Sequence, residues 1–65
     1  MAYLACDKDG AEAIYEVLPI RHNTCWNPAK YRNGEPTDWV YLPHGSIAKL
    51  IGRELTWDDE PVELT

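Results

Sequence analysis

The chain has no phenylalanine, a single methionine, and only six basic residues against eleven acidic ones among its 65 residues. Its net charge of −5 argues against a protein that wraps nucleic acid phosphates over its whole surface, because like charges repel. The N-terminus lacks a basic region followed by a long apolar one, and no apolar run approaches the length of a membrane span. We therefore expect a cytoplasmic protein that does not enter a membrane.

The length predicts one domain, residues 1–65, with a marginal core, since a chain of this size buries only about 60% of its unfolded surface. Three Trp and four Tyr supply the largest side chains, and we expect these rings to form the core rather than a ligand-binding cage. Two cysteines without an export signal are expected to be free thiols.

The N-terminal segment predicts a β-hairpin, because Asp9-Gly10 supplies the left-handed position that a tight antiparallel connection requires. The register sets Tyr3 opposite Tyr15, and the hairpin then has two different faces. The face predicted to meet the core carries Tyr3, Ala5, Ala13, Tyr15 and Val17. The other face carries Leu4, Cys6, Glu12, Ile14 and Glu16, and its two glutamates are expected in water.

The stretch from Val40 to Leu64 predicts strand, turn, short helix, turn and strand, and the first strand, Trp39 to Leu42, is expected to be buried or half-buried. Ser46 is predicted to cap the start of the helix, and Gly52 to close its end. Together these elements predict an α+β fold with a small antiparallel sheet, consisting of the N-terminal hairpin and one or two further strands, and one short helix.

After the helix, Thr56 to Asp59 resembles a capping arrangement that opens one helical turn, and Val62 to Leu64 predicts an edge strand. We expect Leu55 and Trp57 to pack on the helix. Its apolar face is formed by Ile47, Leu50 and Ile51.

Between Leu18 and Asp38 the periodicity disappears, and loops of this length in compact domains are usually functional or disordered. Asn33-Gly34 supports a second interpretation, a hairpin tip with arms around Trp26 to Arg32 and Asp38 to Leu42. The sequence leaves both open.

Basic and aromatic residues alternate in this middle segment, as in sites that hold single-stranded nucleic acid by its phosphates and bases. The candidate binding residues are Arg21, Trp26, Lys30, Tyr31 and Arg32. In the competing interpretation, which the acidic net charge favours, the rings fold the loop onto the core and the basic groups pair with the acidic flanks.

Metal and catalytic sites are weakly indicated. The zinc-type ligands are Cys6, His22, Cys25 and His44, but only His22 and Cys25 have a spacing seen in zinc knuckles. Asp7-x-Asp9-Gly10-x-Glu12 resembles part of a calcium loop but turns straight into a strand. We predict no metal, no cofactor and no enzyme, since so short a chain leaves little room for a walled pocket.

Both ends of the chain resemble small uncharacterised proteins encoded by bacteriophages and integrated elements of gut bacteria. The matching motifs are Met1–Ala5, Asp7–Gly10, Leu42-Pro43-x-Gly45-Ser46-Ile47, Leu50–Gly52 and Leu55-Thr56-Trp57-x-Asp59-Glu60-Pro61-Val62. The resemblance implies a cytoplasmic accessory protein of a phage or mobile element, a class whose short acidic members often bind a host protein. It carries over no functional residues.

These observations favour a non-enzymatic protein-protein interaction module with an unidentified protein partner. The alternative is single-stranded nucleic-acid binding through the Arg21–Arg32 loop. We expect a monomer, or a homodimer that completes the small core through an open sheet edge.

Overall fold

The computed structural model describes residues 2–29, 31–32 and 35–64. The predicted α+β class is confirmed, with short antiparallel strands and one helix. The elements are β1 (Ala2–Cys6), β2 (Glu12–Tyr15), β3 (Ile20–Arg21), β4 (Trp26–Asn27), β5 (Tyr31–Arg32), β6 (Glu35–Pro36), β7 (Trp39–Leu42), α1 (Ser46–Ile51) and β8 (Val62–Leu64).

The main sheet has four antiparallel strands in the order β7-β2-β1-β8, so the N-terminal hairpin forms its centre and β7 and β8 its edges. The predicted register is confirmed, with Tyr3 opposite Tyr15 and Ala5 opposite Ala13. Gly10 adopts φ 91°, the left-handed conformation that the turn requires, and its N–H donates to the carbonyl of Asp7.

Both faces of this sheet are covered, whereas only one was predicted to meet the core. On the first face, the helix face, buried side chains form one cluster: Leu4, Cys6, Ile47 and Leu55. On the second face the cluster consists of Ala5, Ala13, Tyr15 and Trp26. Because helix α1 covers the first face and the β3-β4 hairpin supplies Trp26 to the second, the central hairpin has no open side.

The prediction that Glu12 lies in water is wrong, since its exposed fraction is 8%. Its two carboxylate oxygens accept hydrogen bonds from the N–H groups of Gly45 and Ile47, both at 2.9 Å. These amides belong to the first turn of α1, where no partner exists within the helix. Glu12 therefore caps the helix from a neighbouring strand of the sheet. Glu16 is exposed, as predicted.

Ser46 does not cap the helix as predicted. The cap position belongs to Gly45 at φ 92°, and the Ser46 hydroxyl donates to the carbonyl of Pro43 instead. The end of the helix is as predicted: Gly52 adopts φ 79° and its N–H donates to the carbonyl of Ala48. The local signal for the end was sufficient, whereas the start depends on a residue 33 positions away in sequence.

The middle segment forms two small hairpins, β3-β4 and β5-β6. Of the hairpin predicted with arms around Trp26 to Arg32 and Asp38 to Leu42, Tyr31–Arg32 does form an arm, but it pairs with Glu35–Pro36, and the predicted second arm is wrong because β7 pairs with β2 instead. Asn33 and Gly34, the predicted tip, lie outside the described residues. Within the described part of the chain, no helix is long and apolar enough to cross a membrane.

Two predictions about the C-terminal half are wrong in part. Leu55 packs near Ile47, as predicted, but Trp57 packs on the second face beside Trp26. Leu50, predicted to face inward, is 54% exposed. Thr56–Asp59 forms a hydrogen-bonded turn closed by the Asp59 carboxylate rather than a helical turn. The predicted last strand is confirmed as β8, which pairs with β1.

Candidate interaction surface

Arg21 is the predicted binding residue whose surroundings are most fully defined. Its guanidinium carbon lies 4.4 Å from the ring centroid of Trp26 and 4.6 Å from that of Trp57. The same group donates hydrogen bonds to the backbone carbonyls of Trp57 and Asp59, at 2.7 and 3.3 Å. This arginine clasp, consisting of Arg21, Trp26 and Trp57, joins strand β3 to the C-terminal turn through cation–π contacts.

Trp26 is a core residue with an exposed fraction of 6%. Its backbone N–H donates to the Asp7 carboxylate at 2.9 Å, and its indole N–H donates to the carbonyl of Cys6 at 3.1 Å. Its own carbonyl accepts the Tyr15 hydroxyl at 3.1 Å. Burial, together with the nearby Asp7 carboxylate, raises the pKa of Tyr15. Every polar group of Trp26 is thus used inside the protein.

The remaining candidate binding residues cannot be placed relative to Arg21 and Trp26. Lys30 and the side chains of Tyr31 and Arg32 lie outside the described part of the structure, although the backbone of β5 runs through Tyr31 and Arg32. For Arg21 and Trp26, the contacts match the competing interpretation, in which a ring folds the middle segment onto the core and a basic group meets acidic residues. Arg21 lies 3.6 Å from the Glu60 carboxylate.

The zinc-type ligands are dispersed. Among the described residues, no three His, Cys, Asp or Glu side chains are grouped to hold a metal ion. Cys6 and Cys25 are free thiols, the first buried and the second half-buried. Burial, with the Glu12 and Asp7 carboxylates near it, raises the pKa of the Cys6 thiol and thereby lowers its reactivity.

The acidic residues of the first turn serve the fold. The Asp9 carboxylate accepts the N–H of Ala11, while Asp7 accepts that of Trp26 and Glu12 accepts two helix amides. These contacts are those of a hairpin turn and a helix cap, so the calcium-loop resemblance has a structural explanation.

Two open depressions lie beside this turn, with volumes of about 250 and 380 Å³. The smaller is lined in part by Cys6, Glu12 and His44, and the larger in part by Asp7, Cys25 and Tyr41. Because the Asp7 and Glu12 carboxylates already accept backbone hydrogen bonds, neither is a free base at a cavity wall.

Exposed apolar side chains concentrate on the edge strand β7. Trp39, Val40 and Tyr41 are 37%, 58% and 61% exposed, although this strand was predicted to be buried or half-buried. The Trp39 ring stacks on Tyr15 at 5.8 Å and meets Tyr41 edge to face at 4.7 Å, so the two exposed rings continue the buried aromatic cluster outward.

The backbone of β7 also directs hydrogen-bonding groups away from the sheet. The N–H of Glu16 donates to the carbonyl of Asp38 at 2.9 Å, which makes Glu16 and Asp38 a hydrogen-bonded pair of the β2-β7 ladder. Bonded pairs alternate along antiparallel strands, so Val40 and Leu42 face β2 while the N–H and C=O groups of Trp39 and Tyr41 point away from it. In the described part of the chain, no strand pairs with that outer side.

The two edges of the sheet differ in protection. Strand β8 carries Glu63 at its centre and follows Pro61, and a charge and a proline both discourage pairing with another strand. Strand β7 is Trp-Val-Tyr-Leu and has no charge along its length, although Asp38 and Pro43 flank it. We call its outer side, Trp39–Leu42, the β7 edge. In the sequence, the β7 edge is indicated by this difference in charge between the two edge strands. An interpretation based on hydrophobicity alone instead predicts that the apolar residues of β7 are buried.

Comparisons with protein-family models, with curated proteins and with solved structures give no match to this chain.

Proposed function

We propose that this chain is a non-enzymatic protein-interaction module that binds a protein partner by strand addition at the β7 edge. The observation that carries the proposal is the exposure of three consecutive apolar side chains, Trp39, Val40 and Tyr41, on an edge strand without a charge or proline. The unpaired N–H and C=O groups of an edge strand are a template for pairing with another chain.

Strand addition uses the two resources that the edge offers. The outward amide and carbonyl groups of Trp39 and Tyr41 would form main-chain hydrogen bonds to an incoming extended segment. Side chains of the incoming segment would then contact Val40 on the helix face and the Trp39 and Tyr41 rings on the second face. Main-chain bonding gives affinity, and these side-chain contacts give selectivity.

The resemblance to small phage and mobile-element proteins supports a host or phage protein as the partner. Single-stranded nucleic-acid binding has less support, because the Arg21 guanidinium already contacts two indole rings and the Trp26 ring is buried. An incoming base would have to displace these contacts.

The test is a pull-down of tagged protein from bacterial lysate with and without nuclease treatment, followed by binding assays with each purified partner. Wild type is compared with Val40→Lys, which places a charge on the β7 edge. The matched control is Leu50→Lys, the same chemical change at a similarly exposed residue of α1.

We expect a protein that binds wild type and the Leu50→Lys variant but not the Val40→Lys variant. Equal capture by all three proteins would place the interaction elsewhere on the surface. Capture that requires intact nucleic acid, and that weakens steeply with salt, would favour the alternative function.

A further inference from the structure

We infer that, when no other partner is bound, the β7 edge pairs with a second copy of this chain, antiparallel about a two-fold axis at Val40. The inference rests on the proposed function, since it uses the same edge, and it names the occupant. Two-fold pairing of identical edges would join two four-stranded sheets into one of eight strands.

The backbone selects one register. Only Trp39 and Tyr41 direct their N–H and C=O groups outward, so hydrogen-bonded pairs must be drawn from these positions. A register centred on Val40 sets Trp39 opposite Tyr41 of the partner subunit twice, and all four N–H groups find carbonyls. A register centred on Tyr41 also pairs the four N–H groups, but it sets Trp39 opposite Pro43 of the partner subunit, and because proline has no N–H to donate, the Trp39 carbonyl of each copy stays unpaired.

The side chains suit the same register. Each aromatic ring lies opposite an aromatic ring of the other copy, and Val40 lies opposite its own equivalent, pairings that stabilise antiparallel strands. Asp38 lies opposite Leu42 of the partner subunit, so no like charges meet across the new ladder. Each of the three exposed apolar side chains of the edge would gain an apolar neighbour across the new ladder.

The other edge does not offer this fit. On β1, alternation from the bonded pair of Asp7 and Ala11 directs Leu4 toward β8, so Glu63 directs its backbone groups outward. A two-fold register centred on β8 would therefore set Glu63 against Glu63 of the partner subunit. That repulsion makes β8 the less suitable edge for self-pairing.

The interface is small. Aromatic side chains bury about 150–250 Å² each, so the exposed parts of Trp39 and Tyr41 amount to roughly 150–240 Å² per copy. With Val40 and the backbone added, the total stays below the ~1,200 Å² that marks standard stable complexes. The dimer should therefore be weak and concentration-dependent, with a dissociation constant between about 1 µM and about 1 mM.

Sedimentation equilibrium of the full chain tests this between about 1 µM and about 1 mM. We expect the average mass of wild type to rise from 7.4 kDa toward twice that value. Val40→Lys should stay at the monomer mass, and Leu50→Lys should follow wild type. Circular dichroism spectra of the three proteins check that each is folded.

A second measurement tests the register and does not depend on the stability of Val40→Lys. Facing residues about the axis form a non-bonded pair, whose Cα atoms lie about 4.5 Å apart, within disulfide range. In a Cys25→Ser background, Val40→Cys should therefore cross-link two copies under mild oxidation at least tenfold faster than Leu50→Cys.

A constant monomer mass for wild type up to the highest concentration overturns the dimer. So does equal cross-linking at the two positions. Failure of the proposed function can be told apart from these results. If wild type is monomeric and its purified partner binds wild type but not Val40→Lys, strand addition at the β7 edge holds with a different occupant. A wild-type dimer that Val40→Lys leaves intact overturns the β7 edge as its interface.

Discussion

Replacing Glu12 by glutamine should destabilise the protein by about 2 kcal/mol. Each carboxylate oxygen accepts one helix amide at 2.9 Å, and hydrogen bonds to charged groups contribute roughly 1.5–3 kcal/mol. Glutamine keeps one acceptor oxygen but turns its NH₂ group toward the other amide, so one of the two bonds is lost together with the charge. Lost N-caps elsewhere remove about 0.5–2 kcal/mol, a range that agrees with this figure.

A change of this size is large for so small a domain. At about 0.05–0.15 kcal/mol per residue, the free energy of unfolding is roughly 3–10 kcal/mol, and the melting temperature should fall by about 8–16 °C. Urea denaturation at pH 7 measures the loss directly. The control is Glu63→Gln, the same substitution at an exposed residue of β8, which should change stability by less than about 0.5 kcal/mol.

The pH dependence gives the decisive comparison. Burial alone raises the pKa of Glu12, but the amides of Gly45 and Ile47 and the nearby His44 outweigh it, so the pKa lies below its ordinary value of 4.5. The interactions that lower the pKa of Glu12 stabilise the fold at pH values above the ordinary pKa. This stabilisation is lost as the pH falls through the folded-state pKa. Wild type and Glu12→Gln should therefore converge in acid. An equal difference at pH 7 and in acid would refute the charged cap.

Three further predictions concern the second face of the sheet. Arg21→Lys should lower the free energy of unfolding by about 1 kcal/mol, because an ammonium cannot contact both indole rings and donate to the Trp57 and Asp59 carbonyls as the guanidinium does; an unchanged urea midpoint would contradict the arginine clasp. Tyr15→Phe leaves the buried carbonyl of Trp26 without its hydroxyl donor and should destabilise by about 1–2 kcal/mol in the same assay, and a neutral result would show that water replaces the bond. In the native protein, Cys25 should react with a thiol reagent before Cys6, which is buried and has a raised pKa; equal rates would mean that the sheet centre opens easily.

The elements that the sequence predicted correctly are those specified by neighbours in the chain. Asp9-Gly10 and strict alternation determine the register of the first hairpin, and the N–H of Gly52 closes the helix by donating to the carbonyl of Ala48, four residues earlier. Neither depends on where the rest of the chain lies.

The errors arise where a distant element changes the meaning of a residue. The strand pattern alone predicts that Glu12 faces solvent, because the sequence does not show that the helix N-terminus lies against its carboxylate. The strand Trp39 to Leu42 is predicted to be buried or half-buried because apolar runs usually are. Its position at the edge of the sheet, however, leaves one side open. Of the candidate binding residues, Arg21 and Trp26 lie in the same segment of the sequence, but only tertiary packing shows that they contact each other and that Arg21 contacts Trp57.

The central strand β1 has a consequence for how this sequence can drift. Leu4, Ala5 and Cys6 are 0%, 2% and 6% exposed, so three successive residues face packed side chains although they alternate between the two faces of the sheet. A strand with a solvent face tolerates polar replacement at every second position, whereas this one tolerates it nowhere from Leu4 to Cys6. Among descendants of this chain, we expect these three positions to accept only apolar side chains of similar volume, while the exposed turn at 8–10 diverges around a retained Gly10.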